Sequence, residues 1–268
     1  MESAMTSVVT KEKVLEENRR VHALENRLYL SRHPEQTNFF QKSILEKTVD
    51  EICTTLKPDA KILDLGCGTG YLSLSFLSKG YHVTGLDLSQ EMIQAFEESI
   101  PEALKPQTRL VVGDAEEFLL QNQEEYDVIV LSAILHHLFD YESVLRQICA
   151  RLSSGKRLLV FFEPLKQEVY SPIKFALHRA LSWLDEKLYH SVMRVKSIPV
   201  LADEYHHSDY QRQFGGIDPN RVDEILRDEG LKVLRIEKYC ARRYGLHALL
   251  ANRVLGTQNT FNLFATRP

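Results

Sequence analysis

The chain has 268 residues, 44% hydrophobic and 26% charged, and a formal charge of −4, which suits one large domain with additions and leaves no basic footprint for nucleic acid. Cys53, Cys67, Cys149 and Cys240 stand far apart, with no CxxC pair and no short metal-ligand cluster, and read as reduced thiols of a cytosolic protein. No apolar run approaches the roughly 18 residues of a membrane span, and the opening MESAMTSVVTKEKVLEENRR lacks a signal-peptide core, so the expectation is a soluble, intracellular chain.

Residues 1–58 read as helical, interrupted by SRHPEQTN (31–38), and form an N-terminal extension. From Lys61 onward, β-like runs alternate with helical ones. KILDL (61–65) precedes a helix over 71–80 closed by Gly80, and HVTGLD (82–87) precedes a helix over 89–99 with Ser89 as N-cap. TRLVVG (108–113) and YDVIVLS (126–132) follow, then a helix over 141–155 and KRLLVFFE (156–163). A helix over 218–230, with Asp218 as cap, Pro219 at its first position and Gly230 at its end, leads to LKVLRIEKY (231–239) and NTFNLFAT (259–266). This order predicts an α/β fold with a doubly wound, mostly parallel seven-stranded sheet built from right-handed crossovers. No helix is expected within 240–258, so the last two strands are free to pair antiparallel at an edge.

Residues 164–215 are too long for an ordinary connection. Within them Ile173, Leu177, Leu181, Leu184, Leu188, Val192 and Val195 recur at helical spacing. The simplest expectation is a lid helix packing this face on the domain. Lys166, Lys174, Arg179, Lys187, Arg194 and Lys196 lean basic and give the alternative of surface contact with an anionic membrane, without insertion. The domain reading is an extension over 1–58 and a main domain over 59–268, with 164–215 as a helical insert on the substrate side.

The stretch KILDLGCGTGYLS (61–73) carries the chemistry. Its glycines run G-x-G-x-G at Gly66, Gly68 and Gly70, not the dinucleotide spacing G-x-G-x-x-G. Asp64 ends the strand before them. Beside a phosphate that carboxylate would be repelled by several kcal/mol at about 4 Å and an effective dielectric near 20. Beside a cation it is welcome. Asp87 closes the second strand, where an acid takes two ribose hydroxyls. A cationic cofactor that carries a ribose is S-adenosyl-L-methionine.

Here the sequence resembles a class I S-adenosylmethionine-dependent methyltransferase of the small-molecule type. DLGCGTG (64–70) resembles the family's first motif, GLDLSQEM (85–92) its second, GDAEEF (113–118) its third, YDVIVLSAILHHLFD (126–140) its fourth, and SSGKRLLVFFEP (153–164) the strand that follows. The resemblance implies a Rossmann-like methyltransferase fold and cofactor contacts from Asp64, Gly66, Cys67, Gly68 and Gly70. It implies Asp87 on the ribose, Leu88 and Met92 on the adenine, Asp114 and Ala115 at the adenine amino group, and Ser132 at the end of the fourth strand. An N-terminal segment closing over the cofactor brings in Tyr29 and Arg32, with His33, Phe39 and Phe40 as further candidates. Blander readings stand beside these: Cys67 as loop filler, Met92 as core, Asp114 as a turn acid, and the N-terminal residues as a helical layer packed on the sheet.

Methyl transfer needs an aligned acceptor and, for many acceptors, removal of a proton, which suits histidine. His136 and His137 follow the fourth strand, where such sheets place ligands. His206 and His207, in DEYHHSDY (203–210), belong to the insert. All four are candidates for the base, with pocket packing as the alternative. Asp203, Glu204 and Asp209 near the second pair read as a solvated cluster, not a metal site. Phe161, Phe162 and Glu163 end the fifth strand near the acceptor, and Trp183 and Tyr189 are lid or core. The expected function is methyl transfer to an oxygen, nitrogen or carbon of a small-molecule acceptor, with secondary metabolism suggested by the insert. The alternatives are a membrane-associated quinone or lipid as acceptor, and a non-catalytic protein that binds the cofactor and a partner. The fourth motif lacks the Asp/Asn-Pro-Pro-aromatic element of nucleic-acid amino-methyltransferases.

Overall fold

The computed structural model describes residues 9–165, 171–201 and 208–268. Its N-terminal segment is helix α1 (Lys11–Glu25), two single turns α2 (Tyr29–Arg32) and α3 (Pro34–Thr37), and α4 (Phe39–Cys53). The SRHPEQTN interruption is thus itself largely helical. Asn38 separates α3 from α4, its side chain capping the backbone N–H groups of Phe40 and Gln41.

The alternating region follows as β1 (Lys61–Leu65), α5 (Ser73–Leu77), β2 (His82–Asp87), α6 (Gln90–Ser99), β3 (Thr108–Val112), α7 (Ala115–Gln121), β4 (Val128–Ser132), α8 (Tyr141–Arg151) and β5 (Arg157–Pro164). After the insert helix α9 (Pro172–Val195) come α10 (Pro219–Asp228), β6 (Lys232–Tyr239), α11 (Gly245–Leu250) and β7 (Thr260–Thr266). The seven strands form one sheet in the order β3-β2-β1-β4-β5-β7-β6. The order reverses between β1 and β4, so the crevice for a ligand opens beyond the carboxyl ends of these strands.

Burial is nearly continuous along β1, β2 and β4, as expected of strands covered on both faces. On one face Leu63 and Leu65 pack with Val144, Leu145 and Ile148 of α8 and with Val222, Ile225 and Leu226 of α10. On the other, Ile62 packs with Val49 of α4, Phe76 of α5 and Phe96 of α6. Those apolar spacings fix the layers.

The antiparallel pair β6–β7 forms at one edge of the sheet as expected, with β7 also paired antiparallel to β5 and β6 outermost. Two other expectations needed correction. Residues 240–258 contain α11, continued by a π-helical turn Ala251–Leu255. The insert helix forms as expected, yet turned over. Leu181 is buried and Val192 half-buried, whereas Ile173, Leu177, Leu184, Leu188 and Val195 face outward.

Candidate active site

Two adjoining cavities lie beyond the carboxyl ends of β1, β2, β4 and β5. The smaller, about 100 Å³, is walled by Gly66, Gly68, Asp87, Leu88, Met92, Asp114, Ala115 and Ser132, and by Leu15, Asn18, His22 and Tyr29 of the N-terminal segment. The larger, about 770 Å³, reaches under the insert helix to Ser182, Asp185 and Tyr189 and back to Arg32 and His33. His22, Tyr29, Ala133 and His137 wall both.

The glycine turn divides its labour. Gly68, at φ 52°, faces open space where a Cβ would meet nothing within 4 Å, so it can admit a ligand to the backbone. Gly70 does something else. A Cβ there would stand 2.0 Å from the Phe96 ring, so this glycine serves the core. Asp87 ties the turn to β2, accepting the Gly68 N–H at 2.8 Å on one oxygen and the Ser89 N–H at 2.9 Å on the other. Burial raises its pKa, which backbone donors oppose.

Asp64 lies beneath the turn, fully buried, and walls neither cavity. Ser73 donates its hydroxyl to Oδ2 at 2.6 Å, while Oδ1 is buried without a partner. Burial, with the Asp87 charge adding to it, pushes the Asp64 carboxyl up to about 7. Asp64 beneath the turn and Asp87 beside the smaller cavity set negative charge under the glycine loop, which suits a cationic cofactor such as S-adenosylmethionine and opposes a pyrophosphate.

Cys67 and Gly70 likewise wall neither cavity. Cys67 is buried, and burial pushes its thiol well up, so filling the loop is its role. Asp114 caps α7 by accepting the Glu117 N–H at 3.1 Å, and Lys11 of α1 reaches its carboxylate at 3.8 Å. Met92 is both core and cavity wall.

The His-His pair is divided. His136 is buried, and its Nδ1 faces Glu163 Oε2 at 2.9 Å. Glu163 also accepts the N–H groups of Ile134 and Leu135 at 2.6 and 2.7 Å, which holds the loop after β4 in shape. Burial raises the Glu163 carboxyl to about 7 against these donors, and burial pushes His136 down to about 3. His137 faces both cavities. Its Nδ1 lies 2.7 Å from the Ser208 carbonyl oxygen, which only accepts, so Nδ1 carries the proton and Nε2 a free lone pair. Burial, then neighbouring His136, pushes the His137 pKa down, favouring the neutral ring.

His136, His137 and Asp209 each offer a ligand atom within 4.8 Å of one another. Arg212 holds Asp209 at 3.1 Å, and Glu163 and Ser208 take the histidine Nδ1 positions, which leaves both Nε2 atoms for a proton or a metal ion. Asp203, Glu204, His206 and His207 lie outside the described residues.

The N-terminal segment contributes more than its sequence announced. Glu25 is fully buried and binds His22 Nδ1 at 3.3 Å and His33 Nε2 at 2.6 Å. Burial works against charge on His33, but bonds to Glu25 and Glu35 outweigh it and raise its pKa to about 10. Glu25 and Glu35 are correspondingly lowered. Arg32 walls only the larger cavity and donates to the carbonyls of Pro199, Leu24 and Glu25, linking this segment to the chain beyond α9. Tyr29 walls both cavities. Phe39 and Phe40 wall neither; Phe39 packs on Gly245, where a Cβ would meet its ring at 2.3 Å. Phe162 and Tyr189 wall the larger cavity, Phe161 is core, and Trp183 is exposed. Sequence reasoning missed His22, Glu25, Arg212, Asp185 and Arg242, the last two buried side chains in the wall of the larger cavity.

Comparison with known proteins agrees with this fold. A family model described as a methyltransferase domain matches residues 38–213. The ubiquinone biosynthesis O-methyltransferase of Aeromonas salmonicida is 35% identical over 105 residues, 37% of this chain and 42% of that protein, so the match spans less than half of either. Magnesium protoporphyrin IX methyltransferase from Synechocystis PCC 6803 with bound SAM has the same fold, with a TM-score of 0.56 at 17% identity over 98% of this chain and 100% of that one. The [4+2]-cyclase SpnF also shares it, with a TM-score of 0.53 at 18% identity over 83% and 81% of the two chains. From the family match over most of its length, the chain belongs to the methyltransferase-domain family.

Proposed function

We propose that the chain binds S-adenosylmethionine in the smaller cavity and transfers its methyl group to an oxygen, nitrogen or carbon nucleophile of a polar small molecule held in the larger one. The observation that carries this reading is the junction of the two cavities at Ala133 and His137, with His22 and Tyr29 closing the seam. Bound cofactor supplies a sulfonium-activated methyl group. The chain's residues do the rest by orientation and proton handling. Asp64 and Asp87 favour the cationic and ribose parts, Leu88 and Met92 flank the adenine, and Asp114 with Ala115 meets its edge. His137, with Nδ1–H held by Ser208, presents Nε2 to accept the acceptor's proton. His136 is a positioning residue, locked to Glu163.

The larger cavity is lined by Arg32, Arg212, Arg242 and Arg243 and by Glu25, Glu35, Asp185, Glu186 and Asp209, which supports a polar acceptor. The relative named for ubiquinone biosynthesis favours a second reading, in which the acceptor is a hydroxyl of a membrane-associated quinone precursor. Four free cysteines support a cytoplasmic setting, and among the described residues no helix is long and apolar enough to cross a membrane. We further assign residues 1–58 as a cap and 59–268 as the catalytic domain, with 164–215 roofing the acceptor. The specialised insert suggests a role in secondary metabolism.

Crystals grown with adenosylhomocysteine test the assignment. The sulfur is expected at the Ala133–His137 seam, pointing into the larger cavity. Density for the ligand elsewhere, or a sulfur turned away from that cavity, overturns it.

A further inference from the structure

Helix α9 is amphipathic in the wrong sense for a lid packed on its domain. Successive residues turn about 100° in a helix, which brings Ile173, Leu177, Leu184, Leu188 and Val195 into an arc of about 60°. All five are exposed, Ile173 at 75% and Val195 at 85%. The face turned toward the body is mixed, burying Leu181, Tyr189 and Met193 beside polar groups. His178 and Asp185 are buried there, binding Arg242 and His247, and Asp185 with Ser182 walls the larger cavity. A helix placed by burial alone would have rolled over.

The charges on α9 are equally one-sided. Its only carboxylates, Asp185 and Glu186, belong to the cavity wall, where they meet His247 and Arg243. Lys187 and Arg194 flank one side of the apolar stripe and Lys174 the other, with Arg179 and Lys196 further round. All are exposed, and none pairs with a carboxylate among the described residues. Trp183, 59% exposed, lies beside the stripe with the Lys187 ammonium 5.8 Å from its ring centroid. The neighbouring α11 and its π-helical continuation pack on α9 through Leu181, Ala251 and Leu255, and add exposed Leu246, Leu250 and Val254 with Arg253.

We propose that the outer face of α9 docks on an anionic lipid surface, the helix lying in the plane of the interface with its apolar stripe in the headgroup boundary. An apolar stripe flanked by cations and free of carboxylates is what such a surface selects. A second copy of this chain fits less well, because two-fold pairing of α9 would set like charges against each other. Docking would put the larger cavity, which the inner face of the same helix roofs, next to the membrane. The proposal goes beyond the methyl-transfer reading and is tested without cofactor or acceptor.

The experiment is co-sedimentation of the full chain with vesicles of phosphatidylglycerol and phosphatidylcholine in equal parts, against vesicles of phosphatidylcholine alone. Binding is expected to the mixed vesicles, to weaken as salt rises, and to exceed binding to neutral vesicles by roughly tenfold or more. Lys187→Gln with Arg194→Gln should lower the partition coefficient roughly 30-fold, and Leu184→Ser with Leu188→Ser by at least about tenfold. These side chains are exposed, so thermal unfolding should be unchanged in both variants. Equal recovery in the supernatant with both vesicle types overturns the proposal. So does a dimer in sedimentation velocity that the leucine pair dissolves while vesicle binding is absent.

Discussion

The Nδ1 of His137 donates to the carbonyl oxygen of Ser208 at 2.7 Å, and this one bond sets the chemistry available at the seam of the two cavities. It fixes the tautomer, leaving Nε2 unprotonated. Asn18 of α1 in turn donates to the His137 carbonyl at 3.2 Å, so the N-terminal cap and the insert both hold this residue.

His137→Ala should therefore lower kcat by about 100-fold or more for an acceptor that must lose a proton, with adenosylhomocysteine affinity within about threefold of the parent. Burial holds the His137 pKa below its ordinary 6.5, so the base stays deprotonated at neutral pH. The acid limb of the kcat profile should fall under the usual histidine range. Steady-state kinetics with matched calorimetry check both, and full turnover by the variant would return His137 to a packing role.

Gly68→Ala and Gly70→Ala separate binding from folding. Gly70→Ala, at a φ of 79°, adds positive-φ strain to a Cβ driven into the Phe96 ring and should cost about 2–5 kcal/mol of stability. Gly68→Ala has open space and pays only the strain of its positive φ, about 1–2 kcal/mol. Its methyl intrudes on the cofactor cavity and should weaken adenosylhomocysteine by roughly tenfold or more. Thermal melts and titrations of both variants give the comparison.

Asp87→Asn leaves an amide where two backbone N–H groups now meet a carboxylate. Loss of charge-assisted acceptance, together with the ribose contact assigned to this group, should weaken adenosylhomocysteine by about 2 kcal/mol, roughly 30-fold. Calorimetry measures it directly.

The N-terminal segment, proposed above as a cap, should respond to pH through Glu25 and His33. Glu25 is lowered from 4.5, so its contribution is fully present above that value and lost as pH falls below it. His33 is raised from 6.5 to about 10, so its contribution is full below 6.5 and lost as pH rises through 10. Glu25→Gln breaks the buried pair and should cost about 3 kcal/mol. The smaller cavity, about 100 Å³, is below the roughly 300 Å³ typical of a ligand pocket, so the wall formed by α1 and Tyr29 is expected to yield as cofactor enters. Hydrogen exchange over residues 11–33 should accelerate in Glu25→Gln, with faster release of adenosylhomocysteine. Unchanged exchange would mean that Glu25 does not latch the cap.

The parallel strands were legible because each apolar run is bounded by turn residues and buried on both faces. The glycine loop was legible because its spacing is local. Helix α11 was not: it is short, Tyr244 gives its first turn no side-chain cap, and it runs on into a π-helical turn. Periodicity grouped seven apolar residues of α9, of which five share the outer face while Leu181 and Val192 turn inward; His178, Asp185 and Tyr189 recur on the same helix, and period alone cannot say which face is inside. His22, Glu25 and His33 meet only because the chain folds back between α1 and α3, a contact no local pattern records. Asp64 was found by its place before the glycines, whereas its burial beneath them, which raises its pKa against the opposing Ser73 hydroxyl nine residues on, is a tertiary fact that no local pattern records.

The most direct test is calorimetric titration of the intact chain with adenosylhomocysteine between about pH 6 and about pH 8, alongside NAD. Because Asp64 is held at about 7, and only its ionised form attracts an ammonium group, affinity should strengthen across that range as the carboxyl deprotonates. Asp64→Asn should flatten the dependence, and NAD should give no heat. Tight binding of NAD with no heat from adenosylhomocysteine would contradict the account.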